Sequence, residues 1–248
     1  MLSKSQISFV KSLHQKKYRR ENGLFLVEGI KSIQEFIQSA YQIHSLFYVN
    51  EYLHLLPKLP ANINLFEVNN AELGKISTLQ TPQGILALIR IPEHRGMDPK
   101  KLAQRFSLVL DGIQDPGNLG TIIRTADWFG FTHIICSEDT VEAYNPKTVQ
   151  ATMGSLARVN IYYEALPEFL SSSGLPVFGA LLDGTSIYQT NWGKEGLIVL
   201  GNEGKGLSDA VIQHVNQAVT IPRIGDTESL NVAVSAAIFC SEIVRTQN

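Results

Sequence analysis

The residues best suited to chemistry lie in three short segments rich in glycine and asparagine, each following an apolar, β-prone run. They are SLVLDGIQDPGNLGTIIRTADWFG at 107–130, GLIVLGNEGKGLSDAVI at 196–212 and VTIPRIGDTESLNVAVSAAIF at 219–239. In the first, the turn Asp115-Pro116-Gly117-Asn118 precedes a helix that Asn118 is placed to cap. Arg124 follows six residues later, among Leu119, Ile122, Ile123, Ala126 and Phe129, which face a core. A guanidinium in so apolar a helix suits a phosphate or carboxylate, because its planar fork matches either. The alternative is an arginine snorkelling from the helix edge.

In the second segment, Gly201, Gly204 and Gly206 bracket Asn202, Glu203 and Lys205. Glycines at a strand exit let a ligand approach the backbone closely. The spacing is not that of a P-loop, since Lys205 is misplaced, and it is not a dinucleotide fingerprint. In the third, Ile221-Pro222 ends a strand and GDTESLN leads into a helix that Ser229 or Asn231 would cap. The first amides of that helix favour a negatively charged or carbonyl group. Small residues Ala233, Ser235, Ala236 and Ala237 let the helix pack closely on another backbone.

The elements that must position these residues read as alternating strands and helices. Strands FSLVLD, THIICS, VNIYY, PVFGALLD, LIVLG and AVTIP are separated by helices, which implies βαβ units and a mostly parallel sheet over 101–248. Ligands of such sheets bind beyond the carboxyl ends of the strands, where all three segments begin. Residues 1–91 alternate helix and strand separately, with GLFLVEG as a strand and GIKSIQEFIQSA as a helix, and Asn70 reads as the N-cap of a helix over AELGKIS. Residues 92–100, PEHRGMDPK, read as a linker.

The chain has 248 residues and a net charge of −2, so no global charge points to nucleic acid. The charge is uneven, however: Lys4, Lys11, Lys16, Lys17, Arg19, Arg20 and Lys31 face only Glu21 and Glu28 within residues 1–31. Such a stripe steers a polyanion or is an ordinary solvated helix face. Cys136 and Cys240 sit in apolar runs and read as buried free thiols of a reducing compartment. No Cys/His cluster suggests a metal, and no run approaches the 18 apolar residues of a membrane span, so the expectation is a cytoplasmic protein.

Taken in order, Asn118…Arg124, then Gly-Asn-Glu-Gly-Lys-Gly-Leu at 201–207, then Ile-Pro…Ser-Leu-Asn-Val at 221–232, the three segments resemble the motifs of the SpoU (TrmH) family of RNA ribose 2′-O-methyltransferases, within the SPOUT superfamily. NPKTVQATMGSLARV at 145–159 resembles the stretch between the first two motifs, and GLFLVEGIKSI resembles part of a small L30e-like RNA-binding domain. The resemblance implies an α/β fold: an L30e-like domain at 1–91, then a parallel-sheet domain at 101–248 with a deep trefoil knot. Residue patterns alone would have excluded a knot. It implies S-adenosyl-L-methionine as methyl donor, held by Gly201, Ile221 and Leu230 with Leu200 and Asn202 nearby. It makes Arg124 the central catalytic residue, with Asn118, Glu203, Ser229 and Asn231 at the other active-site positions.

It further implies RNA as partner, ribosomal RNA in preference to transfer RNA, a homodimer paired through the knotted domain, and no metal. Lys16, Lys17, Arg19 and Arg20 become candidate RNA contacts. An RNA-binding protein of the same fold without catalysis is the alternative function, and a nucleotide-using α/β enzyme a more distant one.

Overall fold

The computed structural model describes residues 1–93 and 96–247. The chain forms two compact units: Met1–Glu93 with Glu142–Arg158, and His94–Val141 with Val159–Asn248. Part of the linker expected at 92–100, His94 and Arg95, lies outside the described residues. The segment Glu142–Arg158, which the sequence reading placed in the second domain, packs with the first.

In the first unit, helices α1 (Lys4–Ser12) and α2 (Lys16–Asn22) precede β1 (Leu24–Glu28), α3 (Ile30–Ile37), β2 (Ile43–Tyr48), α4 (Asn50–Leu53), β3 (Asn64–Glu67), α5 (Asn70–Ile76) and β4 (Ile85–Arg90). The sheet order is β1-β4-β2-β3, with β4 antiparallel to both neighbours and β2 parallel to β3. A capping box starts α1: Ser3 Oγ accepts from the Gln6 amide at 3.1 Å while Gln6 Oε1 accepts from the Ser3 amide at 2.8 Å. Asn69, one residue before the cap expected from sequence, starts α5 in the same way with Glu72. Val10, Leu13, Leu26, Phe47, Leu73 and Leu88 form part of the core.

Helix α2 was not foreseen, because KKYRREN carries no apolar stripe. It is held instead by Arg19, which is only 2% exposed. Its Nη1 donates to the carbonyls of Leu13 (3.0 Å) and His14 (2.9 Å), and its Nη2 to Glu142 at 2.6 Å. Glu142 belongs to the later piece of this unit, which continues as α7 (Pro146–Thr152) and packs on β1.

The second unit runs β5 (Phe106–Asp111), α6 (Pro116–Trp128), β6 (His133–Ser137), β7 (Asn160–Glu164), α8 (Leu166–Ser173), β8 (Val177–Ser186), β9 (Gly196–Gly201), α9 (Asp209–Ile212), β10 (Gln217–Thr220) and α10 (Val232–Gln247). All six strands are parallel, in the order β10-β8-β9-β5-β6-β7. β5 and β6 are buried end to end, and β9 except for its last residue. This is why their sequences read as unbroken apolar runs: a parallel sheet is covered on both faces. The chain moves outward from β5 to β7 and then returns on the other side through β8 and β9. The strand order therefore reverses at β5/β9, which opens a crevice beyond their carboxyl ends. Beside it β8 loses register: Gly179 pairs with Ala218 and the next pair is Thr185 with Val219, so 180–184 bulge out. Gly184 permits this, since a Cβ there would lie 2.6 Å from the Ala218 carbonyl.

Candidate functional site

The loop after β5 is tied down before it reaches the site. The Gly112 amide donates to Ser137 Oγ (2.8 Å) and the Ile113 amide to Thr140 Oγ1 (3.2 Å). Asp115 then caps α6, accepting from the Asn118 amide at 2.8 Å, with Pro116 in the first turn. The cap expected at Asn118 is thus corrected to Asp115, three residues earlier.

The loop after β9 is a tight hairpin. Asn202 and Gly206 exchange both backbone hydrogen bonds, at 3.0 and 2.9 Å. Asn202 Oδ1 accepts from the Gly204 and Lys205 amides, at 2.9 and 3.2 Å. Its Nδ2 donates to the Gly112 carbonyl at 2.7 Å, which fastens this hairpin to the β5 loop. Asp111 adds a second fastening by accepting from the Ser208 amide at 2.7 Å. Gly201 is required by the hairpin itself: a Cβ there would lie 2.3 Å from the Gly206 carbonyl carbon and 2.5 Å from the Leu207 nitrogen. The sequence had suggested a ligand as the reason for this glycine, whereas the structure supplies an intrachain one.

The third segment crosses from β10 to α10 as irregular backbone that bends at 225–226 and 228. Asn231 closes it, its Oδ1 accepting from the Ala233 amide (2.9 Å) and the Val234 amide (3.3 Å). Of the two caps expected for α10, Asn231 is the one used. Ser229 lies nearby with no hydrogen-bond partner for its hydroxyl among the described residues.

These loops enclose a cavity of about 820 Å³, within the range of small-molecule sites. Leu200, Gly201, Asn202, Glu203, Ile221, Ser229 and Leu230 all line it. The bulge of β8 contributes Ala180, Leu181, Leu182 and Asp183, which the sequence reading missed. The register shift between Gly179 and Thr185 reveals them. Leu182, Ile212, Ile224 and Leu230 leave an apolar rim exposed (71%, 39%, 101% and 45%), which suits a flat ring rather than a fully polar ligand. Asp183, Glu203 and Glu228 set carboxylates at the same cavity, alongside Lys205 and Arg223.

A groove of about 610 Å³ lies between α6 and α10, lined by Asn118, Thr121, Thr125, Phe129, Asn231 and Val234 among others. Glu242 lines its wall, and the bidentate hydrogen bonds it accepts from Arg245 hold its carboxyl below the usual carboxylate range. A polar chain joins groove to cavity. Asn231 Nδ2 donates to Asn118 Oδ1 at 3.0 Å, and Asn118 Nδ2 donates to Glu203 Oε1 at 2.5 Å. One residue from each glycine-rich segment therefore meets in a continuous contact.

Arg124 stands apart. It is exposed on α6, lines neither cavity nor groove, and its side chain has no hydrogen bond or ion pair among the described residues. Of the basic residues expected to meet RNA, Lys16, Lys17 and Arg20 are exposed on α2. Arg19 is corrected: its buried ion pair makes it part of the framework. Among the described residues no cluster of His, Cys, Asp and Glu could hold a metal ion, and no helix is long and apolar enough to cross a membrane.

A parallel α/β unit with a cavity at its strand switch point, walled by backbone and by an amide–carboxylate chain, defines a ligand-binding α/β domain. Residues 105–241 match the SpoU rRNA Methylase family, and residues 4–87 match the MRM3-like substrate binding domain. The chain is 32% identical over 233 residues to the 23S rRNA (guanosine(2553)-2′-O)-methyltransferase RlmP of Bacillus subtilis, covering 92% of each protein. Its fold superposes on a TrmH-family protein from Porphyromonas gingivalis with a TM-score of 0.91 and 38% identity, over 99% of both chains. It superposes on an AdoMet-bound rRNA methyltransferase from Sinorhizobium meliloti with a TM-score of 0.87 and 26% identity, over 100% of this chain and 98% of that one. The chain belongs to the SpoU rRNA methylase family.

Proposed function

We propose that this protein transfers a methyl group from S-adenosyl-L-methionine to a ribose 2′-hydroxyl of ribosomal RNA. The observation that carries this reading is the convergence of the three segments on one cavity, joined through Glu203, Asn118 and Asn231 to the neighbouring groove. The cavity fits the donor in size, in its apolar rim and in its carboxylates, which suit a cationic ligand. Leu200, Ile221 and Leu230 would take the adenine ring, while Gly201 and Asn202 offer backbone groups to its polar edges. When bound, S-adenosyl-L-methionine supplies a sulfonium-activated methyl group.

The remaining demand falls on the protein: a ribose hydroxyl must be held in line and relieved of its proton. Arg124 is a poor base, because a guanidinium stays protonated at neutral pH. Exposed and without an intrachain partner, it is suited to grip an RNA phosphate and to stabilise charge developing on the attacking oxygen. Ser229, with a free hydroxyl in the cavity, is placed to orient the ribose.

The domain plan that supports this reading has an RNA-binding region at 1–91, a linker at 92–100 and the transferase region at 101–248. Lys16, Lys17 and Arg20 offer the phosphate contacts of the first region. A homodimer paired over the α6–α10 groove would cover Trp128, Val234 and Phe129, the first two of which are 84% and 48% exposed. A trefoil knot is the topology by which segments so far apart in sequence would share one cavity. Two buried free thiols suit a reducing, cytoplasmic setting.

The test is transfer of labelled methyl groups to purified ribosomal and transfer RNA, followed by mapping of the modified nucleotide. A 2′-O-methyl group in ribosomal RNA supports the proposal. Labelling of a base, of transfer RNA alone, or of neither RNA while binding persists would replace it, in the last case with an RNA-binding protein lacking catalysis.

A further inference from the structure

Between β5 and α6, Gly112 and Ile113 have every backbone polar group committed to a residue outside their own loop. The Gly112 amide donates to Ser137 Oγ, and the Gly112 carbonyl accepts from Asn202 Nδ2. The Ile113 amide donates to Thr140 Oγ1, and the Ile113 carbonyl accepts from the Val141 amide at 2.8 Å. The Gln114 side chain then donates to the Asp139 carbonyl at 2.7 Å. Ser137, Asp139, Thr140 and Val141 all belong to the turn that follows β6. The single hydroxyl proton of Ser137 has a set direction. Asp139 Oδ1 lies 2.5 Å away, and a carboxylate only accepts. The proton therefore points to Asp139, which leaves a lone pair for the Gly112 amide. Ser137 and Thr140 are 8% and 2% exposed, and neither lines the cavity or the groove.

Asp115 caps α6 directly after this loop, and Asn118 and Arg124 follow on the helix. Arg124 lies nine residues beyond the cap. That is about 13 Å along the axis, so a tilt of about 5° at the loop moves it by about 1 Å. Misplacement of that size costs up to about a hundredfold in rate. We propose that Ser137 is a positioning residue for methyl transfer: its hydroxyl, aimed by Asp139, fixes the loop before α6 and so sets where Asn118 and Arg124 stand against the RNA ribose. Ser137 touches neither donor nor RNA. The inference rests on the RNA methyltransferase reading. It goes beyond that reading by placing a determinant of the rate outside the cavity, the groove and the three glycine-rich segments.

The test separates position from stability, with all variants assayed well below their thermal midpoints. Ser137→Ala takes the hydroxyl from both Gly112 and Asp139. Its kcat for transfer to RNA should fall at least about tenfold, with KM for RNA and calorimetric affinity for S-adenosyl-L-methionine held within about threefold, because charge on the attacking oxygen develops only in the transition state. Ser137→Thr keeps a hydroxyl on the same carbon but adds a methyl group at a buried site. It should lower the thermal midpoint and still keep kcat within about threefold of the parent. Asp139→Ala changes an exposed residue, so the aim is tested even where Ser137→Ala fails to fold. It leaves the Ser137 hydroxyl in place without its direction, and kcat should fall about threefold at an unchanged midpoint. Activity that tracks the midpoint across the three variants would overturn the proposal, since a merely structural hydroxyl acts only through stability. So would a donor affinity that falls in step with kcat, which would put the effect in the 202–206 hairpin through the Gly112 carbonyl. A parent protein that methylates no RNA would instead sink the underlying reading.

Discussion

Replacing Arg19 with methionine tests whether this residue is framework or RNA contact. Methionine keeps most of the aliphatic packing, so what is lost is polar. Glu142, its side chain 11% exposed, keeps a charge without a counter-ion, and the carbonyls of Leu13 and His14 lose their donor. Deleting one partner of a buried pair costs about 3–5 kcal/mol. Spread over a unit of this size, that lowers a melting midpoint by on the order of 10–20 °C. Urea unfolding followed by circular dichroism measures the loss directly. The pair is imperfect, however, since Arg19 Nε is buried with no partner. Removing both charges with Arg19→Met and Glu142→Leu should consequently recover much of the stability, as an apolar replacement avoids the stranded carboxylate. A loss below about 1 kcal/mol for Arg19→Met would place the pair in the range of surface ion pairs and refute the argument.

Arg124→Ala should abolish methyl transfer while leaving calorimetric affinity for S-adenosyl-L-methionine within twofold, because Arg124 does not line the cavity; unchanged turnover would remove it from the mechanism. Gly201→Ala forces the 202–206 hairpin off the β9 end and should weaken donor binding at least tenfold, with normal affinity contradicting the close approach of Gly206 and Leu207. Charge reversal at Lys16, Lys17 and Arg20 should lower RNA affinity and flatten its salt dependence without changing the melting midpoint, and an unaltered salt slope would make them an ordinary solvated face. Burial pushes the Cys136 thiol up and the Cys240 thiol up to about 12, so neither should react with Ellman's reagent in the folded protein at pH 8. The same burial makes stability fall once pH exceeds about 8.5, where the unfolded thiols ionise and the folded ones do not.

How much of this was legible in the sequence depended on whether the cause was local. The strands β5, β6 and β9 announce themselves because burial on both faces demands continuous apolar runs. Helix α2 does not, since its one buried side chain is an arginine whose partner lies 123 residues away. The bulge at 180–184 carries one local trace, Gly184, while Ala180, Leu181, Leu182 and Asp183 read as plain strand, because the register is set by how β8 meets β10.

The helix cap shows the same limit at the site itself, and there it has a chemical consequence. Asn118 opens the apolar periodicity of α6, so it reads as the cap from sequence. Pro116 belongs to the first turn, however, and moves the start of the helix back to Asp115. Had Asn118 been the cap, its side-chain oxygen would have been committed to the amides of its own helix. Because Asp115 takes that duty, the Asn118 amide is free at both ends, to donate to Glu203 and to accept from Asn231. A three-residue shift in one helix start, set by a proline, is what lets three distant segments act as one site.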